Sequence, residues 1–276
     1  MTEEQSASNS PLGNDTVYPA GYDPKLLHLI SRKSTRKALN IEKELPFHGE
    51  DIWTAYELSW LNQKGKPQVA IAEFIFPFDS ANIVESKSFK LYLNSLNDKA
   101  FETEAELVKT LITDLSQAVG ATVKVQLSSA ELKPEKPAQK TQYKSLDTID
   151  IAVTHYTYNP DFLKVKQGKE VSEKLVSHLF KSSCPVTAQP DWASVYIDYT
   201  GALIQHDALL KYLISYRTSA EYHEQCAERI FMDIWKMCRP EELTVRMRFL
   251  RRGGIDINPV RTNQLLYDLI PRVHRQ

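Results

Sequence analysis

The sequence predicts an α+β fold in which antiparallel hairpins carry helices layered on one face of each sheet. Three observations lead there. Short stretches alternate apolar and polar residues with a period of two, while longer ones repeat apolar residues at spacings of three and four. The order strand, strand, helix, helix, strand then occurs twice along the 276 residues, with no residue-level repeat.

Residues 1–20 are rich in Ser, Asn, Glu and Pro without periodicity and read as a mobile tail. Asp51–Trp60 and Gln68–Phe76, joined by a turn at Gly65-Lys66-Pro67, read as a hairpin. Its second strand sets Val69, Ile71 and Ile75 on one face, with Glu73 as an interruption. Lys87–Leu96 reads as a helix through Phe89, Tyr92, Leu93 and Leu96. A second helix spans Thr103–Val119, with Leu107, Leu111, Ile112 and Leu115 on its stripe. Thr103 and Glu106 make a capping box and Gly120 a stop. Val123, Val125 and Leu127 alternate as a strand.

Lys133–Lys144 (KPEKPAQKTQYK) has the composition of a solvated linker. Beyond it, Asp150–Tyr158 and Ala193–Tyr199 read as strands, and Asp207–Tyr216 and His223–Cys238 as helices. Leu243, Val245, Met247 and Phe249 alternate with polar residues as a half-buried strand. The expected organisation is a tail (1–20), a first module (21–131), a linker (132–148) and a second module (149–276).

Composition narrows the function. With 34 Lys+Arg against 35 Asp+Glu the net charge is −1, which argues against non-specific nucleic-acid binding through many phosphate contacts. No run reaches the roughly 18 apolar residues of a membrane-spanning helix. The N-terminus is acidic and polar, unlike a signal peptide. A soluble, cytoplasmic protein is expected. Cys184, Cys226 and Cys238 match neither a disulfide framework nor a zinc spacing, so no metal is expected. A dinucleotide GxGxxG, a P-loop and an HExxH motif are all missing.

Four clusters remain as chemistry. Cys226 and Cys238 fall on the apolar side of a helix, where a cysteine is a small buried hydrophobe. Cys184 instead lies in KSSCPVTAQPDW, a loop with two prolines, and Asp191 follows seven residues later. A loop thiol of this kind is either a nucleophile or idle. His223-Glu224, after Tyr222, opens a helix; the bland reading is a dipole-favoured Glu beside an exposed His. Val84-Glu85-Ser86-Lys87-Ser88-Phe89-Lys90 is either a polar helix start or a binding segment. Arg251-Arg252-Gly253-Gly254 is either a basic turn or a phosphate site.

Taken together, ESKSFKLY (85–92), CPVT (184–187) with Asp191-Trp192, YHEQC (222–226) and RRGGIDINP (251–259) resemble the nitrile reductases of queuosine biosynthesis, in their long bimodular form. The resemblance runs from about residue 50 to the end of the sequence. One departure is Tyr222, where the family pattern leads one to expect Phe. The resemblance implies tandem tunnelling-fold (T-fold) modules, a homodimer, and NADPH-dependent reduction of a 7-cyano-7-deazaguanine nitrile to the primary amine.

It also implies roles. Cys184 would add to the nitrile as thiolate, giving a thioimide. Asp191 would exchange the protons. Val84, Glu85, Ser86, Tyr222, His223 and Glu224 would hold the deazapurine, with Glu85 and Glu224 accepting its N–H donors. Ser86, Lys87, Arg252 and Gly253 would contact NADPH. Each motif occurs once, so one site per chain is expected, at a module junction within a chain or across a dimer. The rival readings are a cyclohydrolase-like T-fold enzyme, which needs clustered zinc ligands, and a purine- or pterin-binding module without catalysis. The loop thiol with its carboxylate separates the reductase from the second.

Overall fold

The computed structural model describes residues 21–37, 39–41, 44–131, 143–268 and 270–276. The expected tail (1–20) and most of the expected linker (132–142) lie outside them. The fold is α+β, and the chain divides into two compact units. The first holds the described residues of Met1–Lys43, Asp51–Pro134 and Arg251–Asp256; the second holds those of Glu44–Glu50, Glu135–Leu250 and Ile257–Gln276.

In the first unit, β1 (Leu29–Ser31) leads into the short helix α1 (Arg32–Lys37). The hairpin strands β2 (His48–Leu61) and β3 (Pro67–Pro77) follow, and then β4 (Asn82–Val84), α2 (Ser86–Asn94), α3 (Glu104–Val119) and β5 (Lys124–Ser128). β1 pairs antiparallel with β4, and the larger sheet runs β5-β3-β2. The β2–β3 turn is closed by Asn62, whose side chain accepts from Lys64 N and Lys66 N, while Gly65 takes φ +74°.

The β3 alternation is real, but the core lies on its other face. Ala70, Ala72, Phe74 and Phe76 are buried, whereas Val69 is 65% exposed and Ile71 and Ile75 only half-buried. The aromatic face wins because Phe74, Phe76 and Trp53 close edge-on around Phe89 of α2, at 5.0, 6.3 and 5.1 Å. Glu73 is therefore an outward residue. Leu107, Leu111, Leu115 and Val119 of α3 are fully buried. Thr103 caps α3 by accepting from Glu106 N at 3.2 Å, and Gly120 ends it in the left-handed region. The Glu106 carboxylate reaches back to Glu102 N, one residue short of a reciprocal box.

The second unit contains β6 (Lys144–Ser145), β7 (Val165–Ser183), β8 (Pro190–Ile204), α4 (His206–Ile214), α5 (His223–Cys238), β9 (Glu242–Phe249) and, from Ile257 onward, β10 (Ile255–Thr262). The order is β10-β9-β8-β7-β6, antiparallel except for the parallel β6–β7 pair. Residues 143–148, expected as linker, are built in: β6 pairs with Leu175 and Val176, and Leu146 is fully buried.

Two expectations fail here. Asp150–Tyr158 forms no strand and stays largely exposed. The first long strand is instead β7, whose sequence VKQGKEVSEKLVSHLFKSS is rich in charge. Register shifts between Lys166 and Glu170 and between Ser177 and Phe180 scramble its alternation. β10 follows β9 and is not among the expected strands; all eight of its residues are buried, Asp256, Asn258, Arg261 and Thr262 included, so its polar positions face protein rather than solvent.

Candidate active site

The second unit brings most of the expected chemistry onto adjoining elements. β7 and β8 form a hairpin in which Ser182 lies opposite Asp191 and Ser183 opposite Pro190. Cys184 starts the connecting loop. Cys184 N donates to Gln189 O at 2.9 Å and Ala188 N to Cys184 O at 3.0 Å, with Ala188 held at φ +55°. Cys184 is half-buried, and Asp191 is only 4% exposed.

The segment before α5 is tied to the end of β7. Ser183 N donates to Ser219 O at 2.8 Å, and Glu221 N donates to Ser183 O at 3.2 Å. Glu221 is in turn paired with Arg229 of α5 at 2.8 Å, and burial pushes its carboxyl above the usual range. The start of α5 is thereby fixed against the strand that ends in Cys184. Tyr222 is its N-cap residue, with Tyr222 N donating to Gln225 Oε1 at 3.1 Å.

His223 Nε2 lies 3.4 Å from Asp191 Oδ2. Glu224 is buried at 4% exposure, so the reading of an exposed His and a dipole-favoured surface Glu does not hold. Burying a carboxylate is expensive unless partners or a ligand answer it. The three thiols also separate. Burial pushes the Cys226 thiol far above its ordinary value and Cys238 up to about 12, leaving both protonated and unreactive.

In the first unit, Val84 ends β4 and Glu85 caps α2. The Glu85 carboxylate accepts from Lys87 N at 2.8 Å and from Ser88 N at 2.9 Å. Burial pushes its carboxyl above the usual range, and these two donors oppose the rise. Each oxygen takes one of these two backbone donors, and a carboxylate oxygen has capacity for a second. Ser86 is exposed and Lys87 half-buried at the helix start.

Arg252 and Gly253 belong to the same unit. Arg252 N and Ile255 O pair at 2.9 Å around Gly253 (φ +57°) and Gly254 (φ +78°), a two-residue turn that needs glycine at both places. A Cβ on Gly253 would lie 2.9 Å from Lys90 Nζ, so α2 presents an ammonium at the turn. Arg251 stacks over Tyr56 at 4.2 Å. The Glu57 carboxylate packs against Gly254 on the same turn, so the turn carries both signs of charge around a backbone without Cβ atoms.

The sequence reading missed Phe249. Its ring stacks on His223 with centroids 3.8 Å apart and planes 8° apart. Alternation within β9 marked it only as core. Among the described residues, no group of three or more His, Cys, Asp or Glu side chains is arranged to hold a metal ion, and no helix is long and apolar enough to cross a membrane.

The first stretch, residues 18–127, matches the family model described as "Nitrile reductase, 7-cyano-7-deazaguanine-reductase N-term". Residues 190–266 match the model of a "QueF-like protein". A protein of Hydrogenovibrio crunogenus named NADPH-dependent 7-cyano-7-deazaguanine reductase is 51% identical over 269 residues, covering 95% of both chains. The chain belongs to the NADPH-dependent 7-cyano-7-deazaguanine reductase family. Reductases of that name from Cupriavidus pinatubonensis and Coxiella burnetii are each 52% identical, covering 92% of this chain and 93% and 91% of theirs. Within the family-matched stretches fall Val84 to Lys87, Asp191, Tyr222 to Glu224, Arg252 and Gly253, while Cys184 lies between the two.

Proposed function

We propose that this member of the reductase family converts the nitrile of 7-cyano-7-deazaguanine to the aminomethyl group through a thioimide on Cys184. The observation that carries the mechanism is the β7–β8 hairpin with α5. It starts the loop with the half-buried Cys184, just past the Ser182–Asp191 pair of the hairpin, and sets the buried Asp191 carboxylate 3.4 Å from His223 Nε2, while the other two thiols are buried.

Cys184 Sγ adds to the nitrile carbon, forming a C–S bond as one C–N π bond opens. Asp191 accepts the thiol proton and returns a proton to the nitrogen, as general acid–base catalysis requires. Covalent capture makes the carbon of a poor electrophile reducible in steps. NADPH, when bound, supplies the hydrides. After the first reduction Cys184 leaves as thiol, and the resulting imine is the substrate of the second.

Glu224, with Glu85, serves as acceptor for the N–H donors of the pyrimidine edge; Val84 and Ser86 flank that contact. Tyr222 walls the ring and His223 faces the reacting end. Ser86, Lys87, Arg252 and Gly253 hold the cofactor, and Arg252 gives a cation for the 2′-phosphate. The wider reading is a cytoplasmic homodimer of tandem T-fold modules, 21–131 and 149–276, acting on a free base rather than on nucleic acid.

The test mixes the protein with 7-cyano-7-deazaguanine and NADPH and follows the nicotinamide absorbance. Oxidation of two NADPH per nitrile is expected. Binding of the base with no oxidation would leave a deazapurine-binding protein instead.

A further inference from the structure

The geometry points to Phe249 as the positioning residue for His223: its ring, rather than a second hydrogen bond, sets the plane in which the imidazole meets Asp191. The inference rests on the reductase reading, which gives His223 a place at the reacting end of the substrate.

A working imidazole is ordinarily fixed by a hydrogen bond at the nitrogen that does not face the reaction. Here that restraint is missing. His223 Nε2 faces Asp191 at 3.4 Å, but Nδ1 is buried with no hydrogen-bond partner among the described residues. A single contact at one ring atom leaves the ring free to turn about it. A further restraint is the parallel stack on Phe249, at 3.8 Å and 8°. A face-on contact of that kind fixes the tilt that one hydrogen bond cannot.

Phe249 is itself held on several sides. Its ring is fully buried and meets Phe180 of β7 edge-on at 6.2 Å and 89°. Its backbone lies opposite Ala193 of β8, two residues from Asp191, and Leu250 N donates to Trp192 O at 2.9 Å. The Phe249 carbonyl accepts from Gln276 Nε2 at 3.0 Å, and the same amide donates to Asn258 Oδ1 of β10 at 2.7 Å. The stack and the carboxylate are therefore set on neighbouring strands in one register. His223, arriving from α5, is placed by both.

The test is a double-mutant cycle with Phe249→Leu, which keeps an apolar side chain but removes the ring face, and His223→Ala. Misplacing a catalytic group by about 1 Å costs up to about a hundredfold. Phe249→Leu is accordingly expected to lower kcat by about tenfold or more, with a smaller change in KM, while Cys184 still forms its adduct. In the His223→Ala background the same substitution is expected to cost less than about twofold. Multiplying losses in an active wild type would overturn the inference and leave the reductase reading standing. An inactive wild type would overturn that reading instead. A second measurement then decides the inference without turnover, using the ring-nitrogen NMR shifts of 15N-labelled histidine at alkaline pH. Wild type is expected to show His223 as one Nε2–H tautomer, and Phe249→Leu an average of two. An unchanged single tautomer in Phe249→Leu would contradict the proposal.

Discussion

The two long helices α3 and α5 occupy the same place in the element order of their units, and their first turns differ in kind. α3 begins by the ordinary rules. Thr103 caps it, Glu104 and Glu106 are exposed and complement the helix dipole, and Gly120 ends it. α5 begins at Tyr222 without a side-chain cap from Ser, Thr, Asp or Asn, and its first turn buries Glu224 beside an imidazole facing Asp191. On the proposed function, that first turn serves the substrate rather than the stability of the helix. Local rules fail where function displaces them.

That contrast can be pressed by chemistry first. Alkylation of the native protein near neutral pH is expected to label Cys184 to completion and to spare Cys226 and Cys238, read by peptide mass mapping. The two α5 thiols are shielded and held protonated by burial. Labelling of Cys226 at a comparable rate would show that α5 opens far more readily than its packing suggests.

A smaller but still large effect is expected at the carboxylate. Asp191→Asn should reduce kcat by about a hundredfold or more while the base still binds, as loss of a general acid–base does. A loss confined to substrate affinity would make Asp191 a binding group. In the first unit, Arg252→Ala should raise the KM for NADPH by about ten- to a hundredfold, the scale of one hydrogen-bonded charge. The loss should be less with NADH, and adduct formation without cofactor should be unaffected. Equal losses for both cofactors would move Arg252 off the 2′-phosphate.

The smallest effect completes the comparison. Thr103→Ala removes the α3 cap and should cost about 1 kcal/mol, a fall of a few degrees in Tm, with turnover unchanged. A kinetic effect of that change would mean that α3 is not the purely structural partner it resembles.

How much of this is legible in the sequence follows the same division. α3 and α5 can be read to the residue because their apolar stripes face one core each, and His223–Cys238 coincides with the expected span. The clusters at Glu85, Cys184, His223 and Arg252 stand out because each breaks a local pattern. β7 is hidden because two register shifts break its period, and β10 because its polar residues are buried along with its apolar ones. In β3 the branched aliphatics Val69, Ile71 and Ile75 share one face, but the aromatic face with Phe74 and Phe76 is the one buried. Phe249 carries no local mark at all. A phenylalanine at an inward position of a strand is core by every sequence rule, and only the β8–β9 register with α5 shows what its ring meets.

The central claim is that Cys184 captures the nitrile, and intact-protein mass spectrometry measures it most directly. The full-length protein is mixed with 7-cyano-7-deazaguanine in the absence of NADPH. Wild type and Cys226→Ala should gain the mass of one substrate molecule, and Cys184→Ala should gain none and turn over none. An adduct that persists in Cys184→Ala would contradict the account.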